Sequence, residues 1–145
     1  MITTEHLIQT FRANYTMTQR LLDGVTQTQA CTRPPMYGEH MQDILEHILN
    51  LRYAVLNALG QPDDDFPKPH AITLRHLLRD LERTQTQIEQ TLTEASPQHM
   101  EIWVKVLRGE VPRWRHVSGL SWHETYYLGQ LEVLRKHAVE PSPAA

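Results

Sequence analysis

The chain has 145 residues, 40% of them hydrophobic, which suits one domain with one hydrophobic core. No apolar run approaches the roughly 18 residues that span a bilayer, and no secretory signal is recognisable, so we expect a cytoplasmic protein without membrane contact. The formal net charge is -3, from 14 basic and 17 acidic residues, which argues against nucleic acid as a partner. The single cysteine, Cys31, excludes an internal disulfide framework.

Four segments have the hydrophobic periodicity of amphipathic helices. Their predicted bounds are residues 4–22, 39–59, 73–95 and 112–137. Thr73 is the predicted N-cap of the third helix, and Gly60 stands where a left-handed cap would end the second. Residues 98–111 could be a short helix or an extended piece, and no segment shows clear strand alternation. The sequence therefore predicts an all-α protein, a four-helix bundle with up-down helices and long loops.

Proline-rich segments separate the predicted helices. Residues 27–38 contain Pro34 and Pro35, and residues 61–70 contain three further prolines, so both segments are predicted to be loops. Residues 1–140 are predicted to form one helical domain. Residues 141–145 are predicted to be a disordered tail.

Histidine is the unusual component, with nine residues in the chain. With one cysteine, any metal site would have to use imidazole and oxygen ligands. Asp43 and His47 lie four residues apart on the second predicted helix, and His123 and Tyr127 have the same spacing on the fourth, so each pair shares a helix face. Because apolar positions flank His47, we expect its side chain to point into the interior.

Facing helices of a bundle commonly build metal sites in their core. His47, His123 and Tyr127 could supply three ligands and leave one position open. Glu124 falls where the apolar stripe predicts a hydrophobic residue, and a buried carboxylate needs a partner. We expect Glu124 and Asp43 to support the site by hydrogen-bonding a ligand histidine. Alternatively, the two histidines could form a purely structural hydrogen-bonded pair.

The segment from His123 to Gln130, HETYYLGQ, resembles the fourth-helix signature His-x-x-x-His-x-Gly-Gln of the DinB/YfiT-like metalloenzyme superfamily. The surroundings of His47, with Gly60 closing the helix, are similar to that family's second helix, which carries its first histidine ligand. The resemblance covers nearly the whole chain in helix order and length. It implies a bacterial stress-response protein, commonly a homodimer, with bound zinc, nickel or a similar divalent ion.

The resemblance places the ligand triad at His47, His123 and position 127, but Tyr127 stands where the family has histidine. A neutral phenol must lose a proton to bind as an anion, which costs about 4 kcal/mol at pH 7. A neutral imidazole has no such cost. We therefore expect a degenerate site that binds a divalent ion weakly or not at all.

Two functions follow from this interpretation. The first is a metal-dependent enzyme, because some members of the family are thiol-dependent S-transferases. Its substrate would be a small molecule, and its activity would be S-transfer or hydrolysis. Its cofactor would be a low-molecular-weight thiol. The second is a non-catalytic bundle, ligand-binding or dimeric, that has lost the metal. A basic cluster at Lys105, Arg108, Arg113 and Arg115 is either a solvated face or an anion site for such a cofactor.

Overall fold

The computed structural model describes residues 2–61 and 73–139. Six helices and two strands lie in these residues. The helices are α1 (Thr4–Leu22), α2 (Gln27–Ala30), α3 (Met41–Ala58), α4 (Leu74–Glu94), α5 (Pro97–Glu101) and α6 (Arg113–Val139), and the strands are β1 (Trp103–Val106) and β2 (Gly109–Pro112). The predicted all-α class is confirmed.

Side-chain caps and a glycine explain why the long helices begin and end where predicted. The hydroxyl of Thr3 accepts a hydrogen bond from the backbone of His6 at the start of α1. Thr73 does the same for His76 at the start of α4, which confirms the predicted N-cap. Gly60, just beyond α3, has a φ of +100°, a conformation that glycine adopts without strain.

The four long helices pack in a closed ring in which each contacts two others. The neighbouring pairs are α1 with α4, α4 with α3, α3 with α6, and α6 with α1. The apolar faces meet inside this ring in two clusters, one built around Ile44, Ile48 and Leu81, the other around Phe11, Leu56 and Ile88. Burial of these faces holds the helices together.

Two short elements differ from the predicted pattern. Helix α2 lies in the segment predicted to be a loop, where Thr26 and Gln29 form a reciprocal N-terminal cap. Strands β1 and β2 form an antiparallel hairpin that pairs Trp103 with Pro112 and Val106 with Gly109. Residues 98–111, for which a short helix and an extended piece were both open, contain most of helix α5, all of strand β1 and most of strand β2. Strands of four residues are too short for alternation to stand out from helical periodicity.

Two predicted segments lie outside the described residues. These are residues 62–70 of the predicted second loop and the predicted tail at residues 141–145. Within residues 2–61 and 73–139, no helix combines the length and apolar character needed to cross a membrane.

Candidate functional site: an aromatic stack beside a groove

The three predicted metal ligands lie next to one another across the α3–α6 contact. The ring of Tyr127 lies 5.5 Å from the ring of His47, centroid to centroid, with 21° between the planes. The same ring lies 5.6 Å from that of His123, with 5° between the planes. We call His47, Tyr127 and His123 the aromatic stack. The structure thus brings together the residues that sequence reasoning selected.

The aromatic stack lies at the surface rather than inside the ring of helices. The side chain of His47 is 41% exposed, and its Nε2 lies 3.0 Å from Oε1 of Glu39. His123 is exposed and Tyr127 is half-buried. The expectation that His47 points inward is wrong, because the buried face of α3 is centred on Ile44 and Ile48 and places His47 at its edge.

The arrangement of the rings does not suit a common metal ion. An imidazole nitrogen binds a metal through a lone pair that lies in the plane of its ring. The rings of His47 and His123 are each stacked on that of Tyr127 and nearly parallel to it, and stacked rings direct their in-plane lone pairs along separate planes. The Nε2 of His47 donates to the carboxylate of Glu39, which leaves Nδ1 as the ring nitrogen that could bind a metal. Within the described residues, no three His, Cys, Asp or Glu side chains are grouped to hold a metal ion.

Asp43 caps a helix instead of supporting a ligand histidine. Its Oδ2 accepts from the backbone N–H of His40 at 3.0 Å. In return, Nδ1 of His40 accepts from the backbone N–H of Asp43 at 3.1 Å. This reciprocal pair satisfies two backbone donors at the start of α3. The hydrogen bonds of Asp43 are thus directed to His40, and the expected contact with His47 is not observed.

Glu124 is fully buried, as its place on the apolar stripe of α6 indicates. Its partner is an arginine and not the expected histidine: Arg52 on α3 donates from a terminal guanidinium nitrogen to Oε1 of Glu124 at 2.8 Å. The side chain of Arg52 is only 1% exposed. Glu124 therefore belongs to an ion pair inside the ring of helices, separate in its contacts from the aromatic stack.

Sequence reasoning missed Arg52, although its position carried a signal. The guanidinium donates to Oε1 of Gln85 at 2.7 Å and lies 6.0 Å from the ring centroid of Phe11 and 5.7 Å from that of Tyr15. These contacts compensate in part for the hydration that the charge loses. Arg52 follows the buried Ile48 by one helical turn, so its place on the apolar face of α3 was readable.

Burial controls the protonation of Glu124. Loss of hydration raises the pKa of its carboxyl above the usual 4.5, and this effect is larger than the opposing contributions of Arg52 and of the Asn14 side chain. The folded chain therefore binds a proton at this carboxyl at a higher pH than the unfolded chain does.

A pH dependence of stability follows from this shift. The contribution of Glu124 to stability is fully present below about pH 4.5, and it is lost as the pH rises through the raised pKa of the folded state. We expect the wild-type chain to lose stability relative to an Arg52→Met, Glu124→Leu double variant as the pH rises above 4.5. Urea unfolding at a series of pH values measures this difference. A difference that stays constant or shifts in favour of the wild type would contradict it.

A groove of about 650 Å³ lies beside the aromatic stack, between α6, α3 and the loop before α3. Its surface is mostly apolar. The lining residues are Tyr37, Gly38, Glu39, Ile44, Tyr126, Gly129, Gln130, Val133 and Leu134. We call this the α3–α6 groove. Its volume falls within the range of roughly 300–1,000 Å³ that is typical of small-molecule sites.

Two of the lining residues connect the α3–α6 groove with the aromatic stack. Glu39, which lines the groove, is the carboxylate paired with His47. Tyr126, another lining residue, has its ring 5.9 Å from that of Tyr127. Sequence reasoning did not predict the groove, because three of its nine lining residues come from a loop whose path is not readable from periodicity. The one available signal was Tyr126, a large aromatic side chain on the solvent side of α6 that is 63% exposed.

The basic cluster does not converge on one site. Lys105 is exposed on the β-hairpin and is paired in register with Glu110. Arg108 is exposed at the hairpin turn, and Arg115 is exposed on α6. Arg113 is half-buried and donates to the backbone carbonyl of His99 at 2.9 Å. These positions favour the interpretation as a solvated surface over that as an anion site.

Comparison of this chain with protein-family models finds no matching family. Comparison with curated proteins likewise finds no match. The resemblance to the DinB/YfiT-like superfamily therefore stays a prediction, carried by the motif at residues 123–130 and by the order of the helices.

Proposed function

We propose that this chain is a non-catalytic binding protein for a small, mostly apolar molecule, with a four-helix bundle of the DinB/YfiT-like type. The observation that carries the proposal is the α3–α6 groove, which is large enough for a drug-sized ligand and is lined mainly by apolar and aromatic side chains. Gly129 and Gln130, the end of the predicted signature, lie in its wall.

The competing hypothesis is a metal-dependent enzyme acting on a small molecule with a thiol cofactor. It is supported by the closeness of His47, Tyr127 and His123. Their near-parallel rings favour the binding protein instead. Elemental analysis of the purified chain separates the two, since a metalloenzyme would carry close to one equivalent of zinc or nickel and a binding protein would carry far less.

Filling the groove with a side chain should block ligand binding. A Cβ atom added at Gly129 meets no atom within 4 Å, so the backbone accepts a larger residue there and the side chain extends into open space. We expect Gly129→Phe to weaken the binding of the neutral fluorescent probe N-phenyl-1-naphthylamine at least tenfold, or by about 1.4 kcal/mol or more. A fluorescence titration of wild type and variant measures the effect.

Gly119→Phe provides the matched control. Gly119 lies on the same helix, also has no atom within 4 Å of an added Cβ, and does not line the groove. Both variants replace glycine within a helix and should therefore keep or slightly raise the melting temperature. Equal probe affinity in the two variants would refute the groove as the site of binding.

A further inference from the structure

The described residues that line the α3–α6 groove include a negatively charged side chain and no lysine or arginine. Glu39 is the only ionisable carboxylate among its described lining residues, and no lysine or arginine is among them. The other polar groups are the amide of Gln130 and the hydroxyls of Tyr37 and Tyr126. The groove therefore combines one negative group with two aromatic rings and an apolar floor.

The carboxylate of Glu39 stays accessible although it is paired. Its Oε1 accepts from Nε2 of His47, yet its side chain is 48% exposed. A carboxylate has about four acceptor sites on two oxygens, so a single donor leaves most of its capacity free. The contact with His47 holds this group at the rim of the groove.

The two tyrosine rings supply the second element of recognition. The faces of aromatic rings attract cations, and this attraction increases as the cation loses water. Tyr37 is 41% exposed and Tyr126 is 63% exposed, so both rings have surface available to a ligand. The ring of Tyr37 also contacts the imidazole of His137, with centroids 5.4 Å apart.

We propose that the ligand of the α3–α6 groove is an organic cation with an apolar body, such as a quaternary or tertiary alkylammonium compound. Its charged end lies between the carboxylate of Glu39 and the rings of Tyr37 and Tyr126, and its apolar body lies against Val133 and Leu134. An anionic ligand would meet the repulsion of Glu39 without any lining cation to offset it. This inference rests on the proposed binding function and adds the chemical class of the ligand.

The test compares three ligands with one apolar body and different charge. They are 4-phenylbutyltrimethylammonium, 4-phenylbutanol and 4-phenylbutane sulfonate, each titrated at about pH 8 against bound N-phenyl-1-naphthylamine. We expect the cation to displace the probe at a concentration at least tenfold lower than the alcohol, and the sulfonate to be the weakest. Equal displacement by all three, or preference for the sulfonate, would overturn the inference.

Two variants locate the cation. Glu39→Gln should weaken binding of the cation at least tenfold relative to binding of the alcohol. Tyr126→Leu keeps an apolar surface but removes the ring, and it should also reduce the difference in affinity between the cation and the alcohol. Glu101→Gln makes the same change in net charge at an exposed residue of α5, outside the groove, and should leave the preference intact. If Glu101→Gln reduces the preference for the cation as much as Glu39→Gln does, the preference depends on net charge alone and the inference is overturned.

Failure of this inference is distinguishable from failure of the proposed function. If the neutral probe binds, Gly129→Phe blocks it and charge has no effect, the groove is a binding site for neutral molecules and only the ligand class is wrong. If the neutral probe does not bind the wild type and none of the three phenylbutyl compounds is detected by calorimetry, both proposals are refuted.

Discussion

Arg52→Met is expected to lower the free energy of unfolding by about 3–5 kcal/mol, because it leaves a buried carboxylate without its partner. The ion pair has almost no contact with water: the side chain of Arg52 is 1% exposed and that of Glu124 is 0% exposed. The Oε1 atom of Gln85 would lose its donor as well. Urea unfolding followed by circular dichroism at about pH 8 measures the loss.

Two further variants show whether burial is the cause. The Arg52→Met, Glu124→Leu double variant removes both charges and should recover most of the stability, since an apolar pair of similar volume often equals or exceeds a buried ion pair. Arg12→Met breaks the pairing of Arg12, whose side chain is 65% exposed, with Glu89, and should change stability by less than about 1 kcal/mol. If the double variant has a lower free energy of unfolding than Arg52→Met alone, the unpaired buried charge is not the cause of the loss.

Leu56→Ala is expected to lower the free energy of unfolding by about 3–5 kcal/mol, the range measured for buried leucines. Leu56 is 0% exposed and lies in the cluster formed with Phe11 and Ile88, where the helices of the ring meet. The substitution removes buried methyl groups and leaves a cavity that well-packed neighbours fill only in part. Thermal or urea unfolding of the variant measures the change.

Leu107→Ala is the matched control for this core substitution. Leu107 lies at the turn of the β-hairpin and is 99% exposed, so the same change of side chain removes almost no buried surface. We expect its effect on the free energy of unfolding to stay within about 0.5 kcal/mol. Similar losses in the two variants would mean that the core does not pack as described.

The aromatic stack and the buried ion pair divide the polar residues of α3 and α6 between two tasks. His47 and His123, which the motif marks as ligands, lie at the surface beside the groove. Arg52 and Glu124 hold α3 and α6 together from within. Because the two sets of residues do not share contacts, stability and the proposed ligand binding can be tested by separate substitutions.

Periodicity and local chemistry determined much of the fold without any structure. The apolar stripes placed the four long helices, Thr73 and Gly60 marked two of their ends, and the stripe of α6 indicated that Glu124 is buried. These features are readable because each depends on residues within about one helical turn. The site residues His47, His123 and Tyr127 were also found from spacing and motif, and they do lie together.

Only the tertiary structure decided what those residues do. The sequence could not show that Glu124 meets Arg52 across 72 positions of the chain, that the rings of the aromatic stack lie nearly parallel, or that a loop residue, Glu39, reaches His47 and the groove. Each depends on how helices rotate and pack against one another, and that rotation minimises the exposed apolar area of the whole chain. His47 lies at the edge of the buried face of α3. Periodicity locates such an edge only to within about one residue, or roughly 100° around the helix.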